Sequence, residues 1–395
     1  MRANMRKAPA PLLETEPLRP AVFRGRLNRF AVACVLREGR NRARAATAYM
    51  ANPGRMGEML LPGVELLLAP RRRGRLAWEA VGLRWRRRWP GDSPRVVFLN
   101  AARTARVAER LLEERLIPPL ADATVVGREV RAGESRIDLL LSRGGAPYLL
   151  EVKSCTLVEH GLALFPDARS ARARRHVETL AAAGAGGAGV LFVVQGRADR
   201  FLPDFHNDLE FARAFGAARA AIDYFPLALE PTFGADRRLR FEGRPRPLAI
   251  PWDTFEAGVA DGGLYLLLLR LARARRLEAG ASGPRDFPGG WYAYVGSARR
   301  GLGKRIERHL RRGKRHHWQI DALRAAADGV KALPIRGTRR GECELAAAVR
   351  AICDDSVPRF GASDCRCPGH LFRFAADPLQ TAPFQQVLTL WRHRL

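Results

Sequence analysis

The sequence predicts an α/β and β chain of three modules, and three observations carry that expectation. Short β-like runs crowd residues 20–89, helices and apolar strands alternate over 100–229, and a further compact stretch starts at Gly262 beyond an Arg/Pro-rich segment. A chain of 395 residues has room for two or three domains, each with its own core.

Residues 1–17 are Pro-rich and read as a flexible tail. The runs Ala21–Phe23, Phe30–Leu36, Ala45–Tyr49, Val64–Ala69 and Trp78–Trp85 are separated by Asn52-Pro-Gly54, Pro62-Gly63 and Gly74, which suggests a small barrel over 18–89. Arg71, Arg72 and Arg73, and Arg86, Arg87 and Arg88, lie beside Trp78, Trp85 and Trp89. They could supply phosphate contacts and stacking faces for nucleic acid; a solvated basic rim around core tryptophans is the alternative. Val107, Leu111 and Leu112 mark a helix within 100–117, stopped by Pro118-Pro119. Strands at Thr124–Arg131, Ile137–Leu141, Tyr148–Lys153 and Val190–Gln195, helices near 169–184 and 208–219, and a strand at 222–229 complete an α/β domain over 95–250. Residues 235–260 read as a linker, 261–376 as a small α+β domain, and 377–395 as a helical tail.

The charge narrows the partners. Lys and Arg number 68 against 40 Asp and Glu, a net +28, and such a field draws in polyanions. The longest apolar run, Leu264 to Leu269, is too short for a bilayer, and no apolar run follows Met1–Lys7, so the expectation is a cytoplasmic protein with no membrane contact. Six Cys, three of them between 353 and 367, do not form a whole-chain disulfide framework.

The hairpin across Arg143-Gly-Gly-Ala-Pro147 carries the chemistry. Alternation puts Arg136, Asp138 and Leu140 on one face of the first strand, and Glu151 and Lys153 share a face of the second. If Asp138 meets Glu151, two carboxylates offer hard oxygens to Mg²⁺ or Mn²⁺, and the ammonium of Lys153 can steady a water or a phosphoryl charge. Only five of the 68 basic residues are Lys, and one falls here. A salt bridge would accept Arg as readily, whereas a compact charge with a tunable pKa would not. An ordinary strand ion pair is the alternative. Glu129, one strand earlier, could add a third acid or face solvent beside Arg128 and Arg131. Gln195 at a strand end could orient Lys153 or a water, touch a base, or simply meet solvent, and Asp167 reads as the cap of the following helix, with holding Arg172 as the alternative.

Over the first 250 residues the chain resembles the sugar fermentation stimulation protein A family. The carriers are Asn52-Pro-Gly-Arg-Met56, Arg128-Glu-Val130, Ser135-Arg-Ile-Asp-Leu139, Glu151-Val-Lys-Ser-Cys-Thr-Leu157, Phe165-Pro-Asp167, His176 and Phe192-Val-Val-Gln195. The resemblance implies an OB-like domain, a PD-(D/E)xK nuclease-like core with Asp138 and Glu151 as metal carboxylates, Lys153 as the lysine and Glu129 as the upstream acid, and binding of DNA and possibly RNA. Arg172 and His176 are the expected nucleic-acid contacts of that core. The family's pattern departs at Arg106–Leu111 and at Ala171.

Residues 263–370 resemble a GIY-YIG-like domain of unknown function. The carriers are Gly263-Leu-Tyr265, Trp291-Tyr-Ala-Tyr-Val-Gly-Ser297, Gly303-Lys-Arg-Ile306 with His309, Lys314-Arg-His-His-Trp318, Glu342-Cys-Glu-Leu345, and Ser363-Asp-Cys-Arg-Cys367 with His370. This resemblance implies Tyr265, Tyr294 and Arg305 as catalytic residues and Glu344 as the single metal ligand, with His309 and Lys314 toward the nucleic acid. The long Arg270–Gly290 insertion separates the two tyrosines. Cys365, Cys367 and His370, with Cys343 or Cys353, could hold Zn²⁺, with buried thiols locking a turn or a redox-labile pair as the alternative. A metal-dependent nuclease is the favoured function; a non-cleaving DNA-binding regulator linked to sugar metabolism is the rival.

Overall fold

The computed structural model describes residues 10–394 except 39–41, 53, 87, 89, 91–92, 185–186, 279–282 and 339, so Arg87 and Trp89 lie outside the described residues. The chain divides into two units, 1–204 with 210–251, and 205–209 with 252–395.

The first unit begins with a closed five-stranded, OB-like barrel. Strands Arg19–Asn28, Ala31–Glu38, Arg42–Tyr49, Glu65–Pro70 and Trp78–Trp85 form one sheet, and parallel pairing of Ala48 with Trp78 and Tyr49 with Glu79 closes it. Alternation sends Ala21, Phe23, Val32, Cys34, Leu66 and Leu68 inward, where Met56 and Met59 of the intervening loop fill the interior. Strand Arg95–Phe98 joins Trp78–Trp85 at its open edge.

The α/β core follows as a six-stranded mixed sheet. Its order is Arg246–Pro247, Asp223–Ala228, Ala188–Val194, Ala146–Cys155, Ser135–Arg143 and Thr124–Ala132. The three middle neighbours from Asp223 to Cys155 run parallel, and the remainder are antiparallel. Helix Thr104–Glu113 buries Val107, Leu111 and Leu112 with Leu139, Leu141 and Leu150, so the opposite face of the hairpin looks at helix Ala171–Ala182. Two boundaries differ from the sequence reading. Leu13–Glu14 pairs with Leu239–Phe241, and Leu12, Leu13, Leu239 and Phe241 are buried in this core. The described end of the tail and the first part of the linker are therefore structural strands: they contribute apolar side chains that a short Pro-rich context disguised.

The second unit is a five-stranded antiparallel sheet, in the order Gly329–Arg336, Gly263–Leu271, Gly290–Ala298, Leu371–Phe374 and Asp355–Ser356. The Leu264–Leu269 run is continuously apolar because both faces are covered. Leu264, Leu266 and Leu268 pack with Leu345, Val349, Phe384, Leu388 and Trp391, while Tyr265, Leu267 and Leu269 pack with Ile306, Ile320 and Leu323. Helix Ala382–His393 is thus part of the domain core rather than a tail. Within the insertion Arg275–Glu278 pairs with Pro284–Phe287 as a separate two-stranded sheet, and the two tyrosine strands stay paired.

Candidate active site

The core site is made where the hairpin ladder stops. Pairing runs from Arg143 with Ala146 to Leu139 with Leu150; at the next position the side chains replace the ladder. The Val152 N–H donates to Asp138 Oδ2 at 2.8 Å, and the Asp138 N–H points to Glu151 Oε2 at 3.4 Å. Asp138 and Glu151 therefore face one another on the side of helix Ala171–Ala182. Glu151 is buried, ion-paired with Lys153 Nζ, and receives His176 Nδ1 at 2.5 Å. Arg172 Nε donates to His176 Nε2 at 3.3 Å, which assigns the ring proton to Nδ1 and aims it at Glu151. Burial, then repulsion by Glu151, pushes the Asp138 carboxyl up to about 6. Burial also acts on Glu151, but the His176 hydrogen bond and the Lys153 charge prevail and hold it below the ordinary range.

Glu129 lies between Arg128, paired with Leu139, and Val130, paired with Ile137, and so stands across from Asp138. Its φ of 51° is rare for a residue with a side chain, and its charge adds to the upward push on Asp138. Arg136 Nε pairs with its carboxylate at 3.2 Å.

Glu129, Asp138, Glu151 and Lys153 line a cleft of about 580 Å³ whose other wall is the barrel: Arg29, Phe30 and Asn52, with Arg169 and Arg172 at the helix entrance. Phe30 is exposed and stacks at 6.3 Å on Tyr49. Asp167 sits against the barrel loop; a Cβ on Gly54 would fall 2.1 Å from Asp167 Oδ2, so a larger residue there would have to push that carboxylate aside. Ser170, not Asp167, caps the helix, through its Oγ and the Ala173 N–H at 3.1 Å.

Several sequence candidates lie elsewhere. His176 is buried behind Glu151 and cannot reach nucleic acid directly. Gln195 is fully buried outside the cleft, where it accepts from the Phe98 N–H at 2.7 Å and donates to the Phe98 carbonyl at 3.0 Å and to Ser154 Oγ at 2.9 Å. Its amide ties the barrel edge to the core. Arg88 is buried as well, over Trp85 and ion-paired with Glu159. Arg71 stacks on Tyr49 at 4.2 Å and Arg19 on Trp78 at 5.4 Å; Arg72, Arg73 and Arg86 are exposed, and none of Arg71, Arg72, Arg73, Trp78 or Arg86 lines the cleft. The barrel groups at the cleft, Arg29 and Phe30, were missed, although an Arg-aromatic pair at a hairpin tip was a readable signal.

The second unit holds a cleft of about 860 Å³ lined by Tyr265, Tyr294, Ser297, Arg305, Trp318 and Glu342. Tyr265 and Tyr294 have ring centroids 6.3 Å apart. The Tyr265 hydroxyl lies 2.8 Å from His309 Nε2. Burial lifts both phenols far above their ordinary value, and burial with the Lys314 charge lowers His309 to about 4. His309 is thus a buried neutral partner of Tyr265 rather than a nucleic-acid contact. Lys314 is buried too, 2.8 Å from Asp321, which also receives Arg308 at 3.0 Å. Arg305 stacks on Trp318 at 4.7 Å.

Glu344 is not in this cleft. It is exposed and accepts the Gly341 N–H at 2.7 Å, closing the first turn of helix Glu342–Arg350. Glu342, two residues earlier, is the carboxylate that faces the tyrosines. Capping logic could have found it, because a Glu three residues after the N-cap turns back to cap. Glu342 accepts from Ser297 Oγ and lies 2.7 Å from His370 Nδ1. The ligand atoms of Cys343, Cys365, Cys367 and His370 lie within 4.8 Å of one another.

Three family models match: the SfsA N-terminal OB domain over 25–89, the sugar fermentation stimulation protein RE domain over 102–232, and the domain of unknown function DUF123 over 264–391. A sugar fermentation stimulation protein homolog of Methanothermobacter thermautotrophicus is 36% identical over 219 residues, 54% of this chain and 86% of that protein. The chain belongs to the sugar fermentation stimulation protein family. The homolog of Methylobacterium nodulans is 38% identical over 223 residues, 54% of this chain and 87% of that one. Among solved structures, that of Pyrococcus furiosus SfsA in complex with Ca²⁺ is 26% identical, covers 61% of this chain and 99% of that chain, and superposes with a TM-score of 0.51. In this family member the DUF123 module follows the family's two domains. Among the described residues no helix is long and apolar enough to cross a membrane.

Proposed function

We propose that the Asp138–Glu151–Lys153 cleft hydrolyses phosphodiester bonds of DNA or RNA, as a PD-(D/E)xK-like nuclease that uses a divalent cation, Mg²⁺ or Mn²⁺. The convergence of two carboxylates and one lysine in a cleft walled by Arg29, Phe30 and Arg172 carries this reading. The donor set suits such an ion: carboxylate oxygens of Asp138 and Glu151, with Glu129 beside them, press negative charges together that a hard cation would relieve. The Ca²⁺ named for the Pyrococcus furiosus relative is in keeping with that chemistry. When bound, the ion supplies Lewis-acid polarisation of the phosphate and a nucleophile at neutral pH.

The chain's own residues do the rest. Asp138 and Glu151 hold the ion, and His176 keeps Glu151 charged and oriented. Lys153 offsets the negative charge that grows on the phosphoryl oxygens. Arg172 and Arg29 hold phosphates, and Phe30 offers a stacking face. Gln195 positions Ser154, the neighbour of Lys153, from outside the cleft. In the GIY-YIG-like module, Arg305 holds a phosphate and Glu342 replaces Glu344 as the acidic group, so this cleft serves as a second nucleic-acid site.

The test is hydrolysis of single-stranded, duplex and branched DNA and of RNA, with and without Mg²⁺ or Mn²⁺. Metal-dependent cleavage of at least one substrate is expected, together with its loss in Asp138→Ala. Tight binding with no cleavage of any substrate would assign the chain to the non-cleaving regulators instead.

A further inference from the structure

The cysteine cluster of the second unit has no place in either cleft. Cys343 stands in the first turn of helix Glu342–Arg350, Cys365 and Cys367 in the loop that leads to His370, and His370 directly before strand Leu371–Phe374. All the cysteines are free thiols. A tetrahedral Zn²⁺, with sulfur at about 2.3 Å and nitrogen at about 2.0 Å, separates a sulfur ligand from a nitrogen ligand by about 3.5 Å. Cys365 Sγ lies 3.6 Å from His370 Nε2, and all four ligand atoms fall within 4.8 Å of one another. The Cys-x-Cys spacing is tighter than that of a zinc knuckle, and the helix resolves the difficulty by supplying the third sulfur from outside the loop. Arg359 Nη1 donates to the carbonyls of Cys365 and Cys367 at 3.2 and 3.1 Å and curls the loop so that its thiols point back.

The environment of His370 is a second observation. The ring is buried, and Nδ1 lies 2.7 Å from Glu342 Oε1. A carboxylate there keeps the proton on Nδ1 and leaves the Nε2 lone pair facing the sulfurs, which is the outer-shell pattern of a metal-bound histidine. Thiolates with one imidazole favour Zn²⁺ over Mg²⁺, and four protein ligands leave no open position for chemistry.

We propose that Cys343, Cys365, Cys367 and His370 bind one structural Zn²⁺, and that through His370 this ion holds the Glu342 carboxylate in the cleft of the second unit. The ion joins the helix that carries Glu342 to the loop that carries Ser363 and Asp364, and all three of these residues line that cleft. Occupancy of the site does not depend on whether the cleft cuts nucleic acid.

The experiment measures zinc in the full chain purified without chelator, and then the absorption of the protein reconstituted with Co²⁺. One equivalent of zinc is expected, with an intense thiolate-to-cobalt band and the visible bands of a tetrahedral site. Cys367→Ser should lose both signals, whereas Cys353→Ser, which removes a thiol outside the cluster, should keep them. Glu342→Gln should still take up the ion but with affinity lowered about 10- to 100-fold. Wild-type protein with substoichiometric zinc and no thiolate-to-cobalt band would overturn the site, and unchanged affinity in Glu342→Gln would overturn its link to the cleft.

Discussion

The two clefts treat their carboxylates in opposite ways. In the core, Asp138 is pressed against Glu151 and Glu129, and burial with that repulsion lifts it to about 6. Beside the C-terminal cleft, Asp321 is fully buried yet receives Arg308, Lys314 and the backbone N–H groups of His317 and Trp318; these outweigh burial and hold it well below the carboxylate range. Glu342 likewise has both oxygens engaged. A satisfied buried carboxylate is scaffold, whereas a crowded one with no cationic partner of its own is poised for a ligand. This contrast is the ground on which we propose the cation chemistry in the core rather than in the second unit.

The largest effect expected concerns Lys153. Removing its ammonium in Lys153→Ala should slow metal-dependent cleavage by about 10²–10³-fold while nucleic-acid affinity in a filter-binding or anisotropy assay stays nearly constant. An equal loss of binding would make Lys153 a structural partner of Glu151 and weaken the contrast between the clefts.

Next in size is Asp321→Ala, which leaves Lys314 and Arg308 without their carboxylate and should destabilise the second unit by about 3 kcal/mol in denaturant melts. Because the native pKa of Asp321 is depressed, its contribution is present above the unfolded value of about 4 and is lost as pH falls below it. A variant as stable as wild type at pH 7 would show that Asp321 is not the satisfied group described.

Asp138 has the opposite sign. Its native pKa of about 6 lies above the unfolded value of about 4, so the ionised group costs stability above pH 6 and nothing below pH 4. Metal-free Asp138→Asn should therefore be more stable than wild type at pH 8, on the order of 2 kcal/mol, with the gain vanishing toward pH 4. Ca²⁺ should raise the melting temperature of wild type and leave the variant unmoved. Destabilisation of the variant at pH 8 would contradict the crowding of the core carboxylates.

The smallest effect separates the faces of the barrel. Arg29→Ala should reduce the slope of log affinity against log salt by about 1, as for one lost phosphate contact, and Arg86→Ala should leave it unchanged. A larger change from Arg86 would move the nucleic-acid path to the exposed basic rim.

Much of this was legible in the chain. Period-2 alternation put Asp138 on one face of its strand and Glu151 with Lys153 on one face of the next, leaving open only the register, which the pairing of Leu139 with Leu150 supplies. What stayed hidden depended on partners distant in sequence. Leu239 and Phe241 look like linker residues until Leu13–Glu14 pairs with them. Gln195 resembles a site residue until the Phe98 backbone claims its amide. His176, His309 and Lys314 are polar groups that periodicity cannot assign to surface or interior, and their partners Glu151, Tyr265 and Asp321 decide it. Glu342 and Glu344 differ only in which of them caps a helix.

The most direct measurement compares the Mg²⁺-dependent cleavage rate of the full chain with those of Asp138→Asn and Glu342→Gln on the same substrate. The account predicts that Asp138→Asn loses cleavage by at least about 10²-fold while Glu342→Gln retains a rate close to wild type. Cleavage that survives in Asp138→Asn and disappears in Glu342→Gln would place the chemistry in the second unit and contradict it.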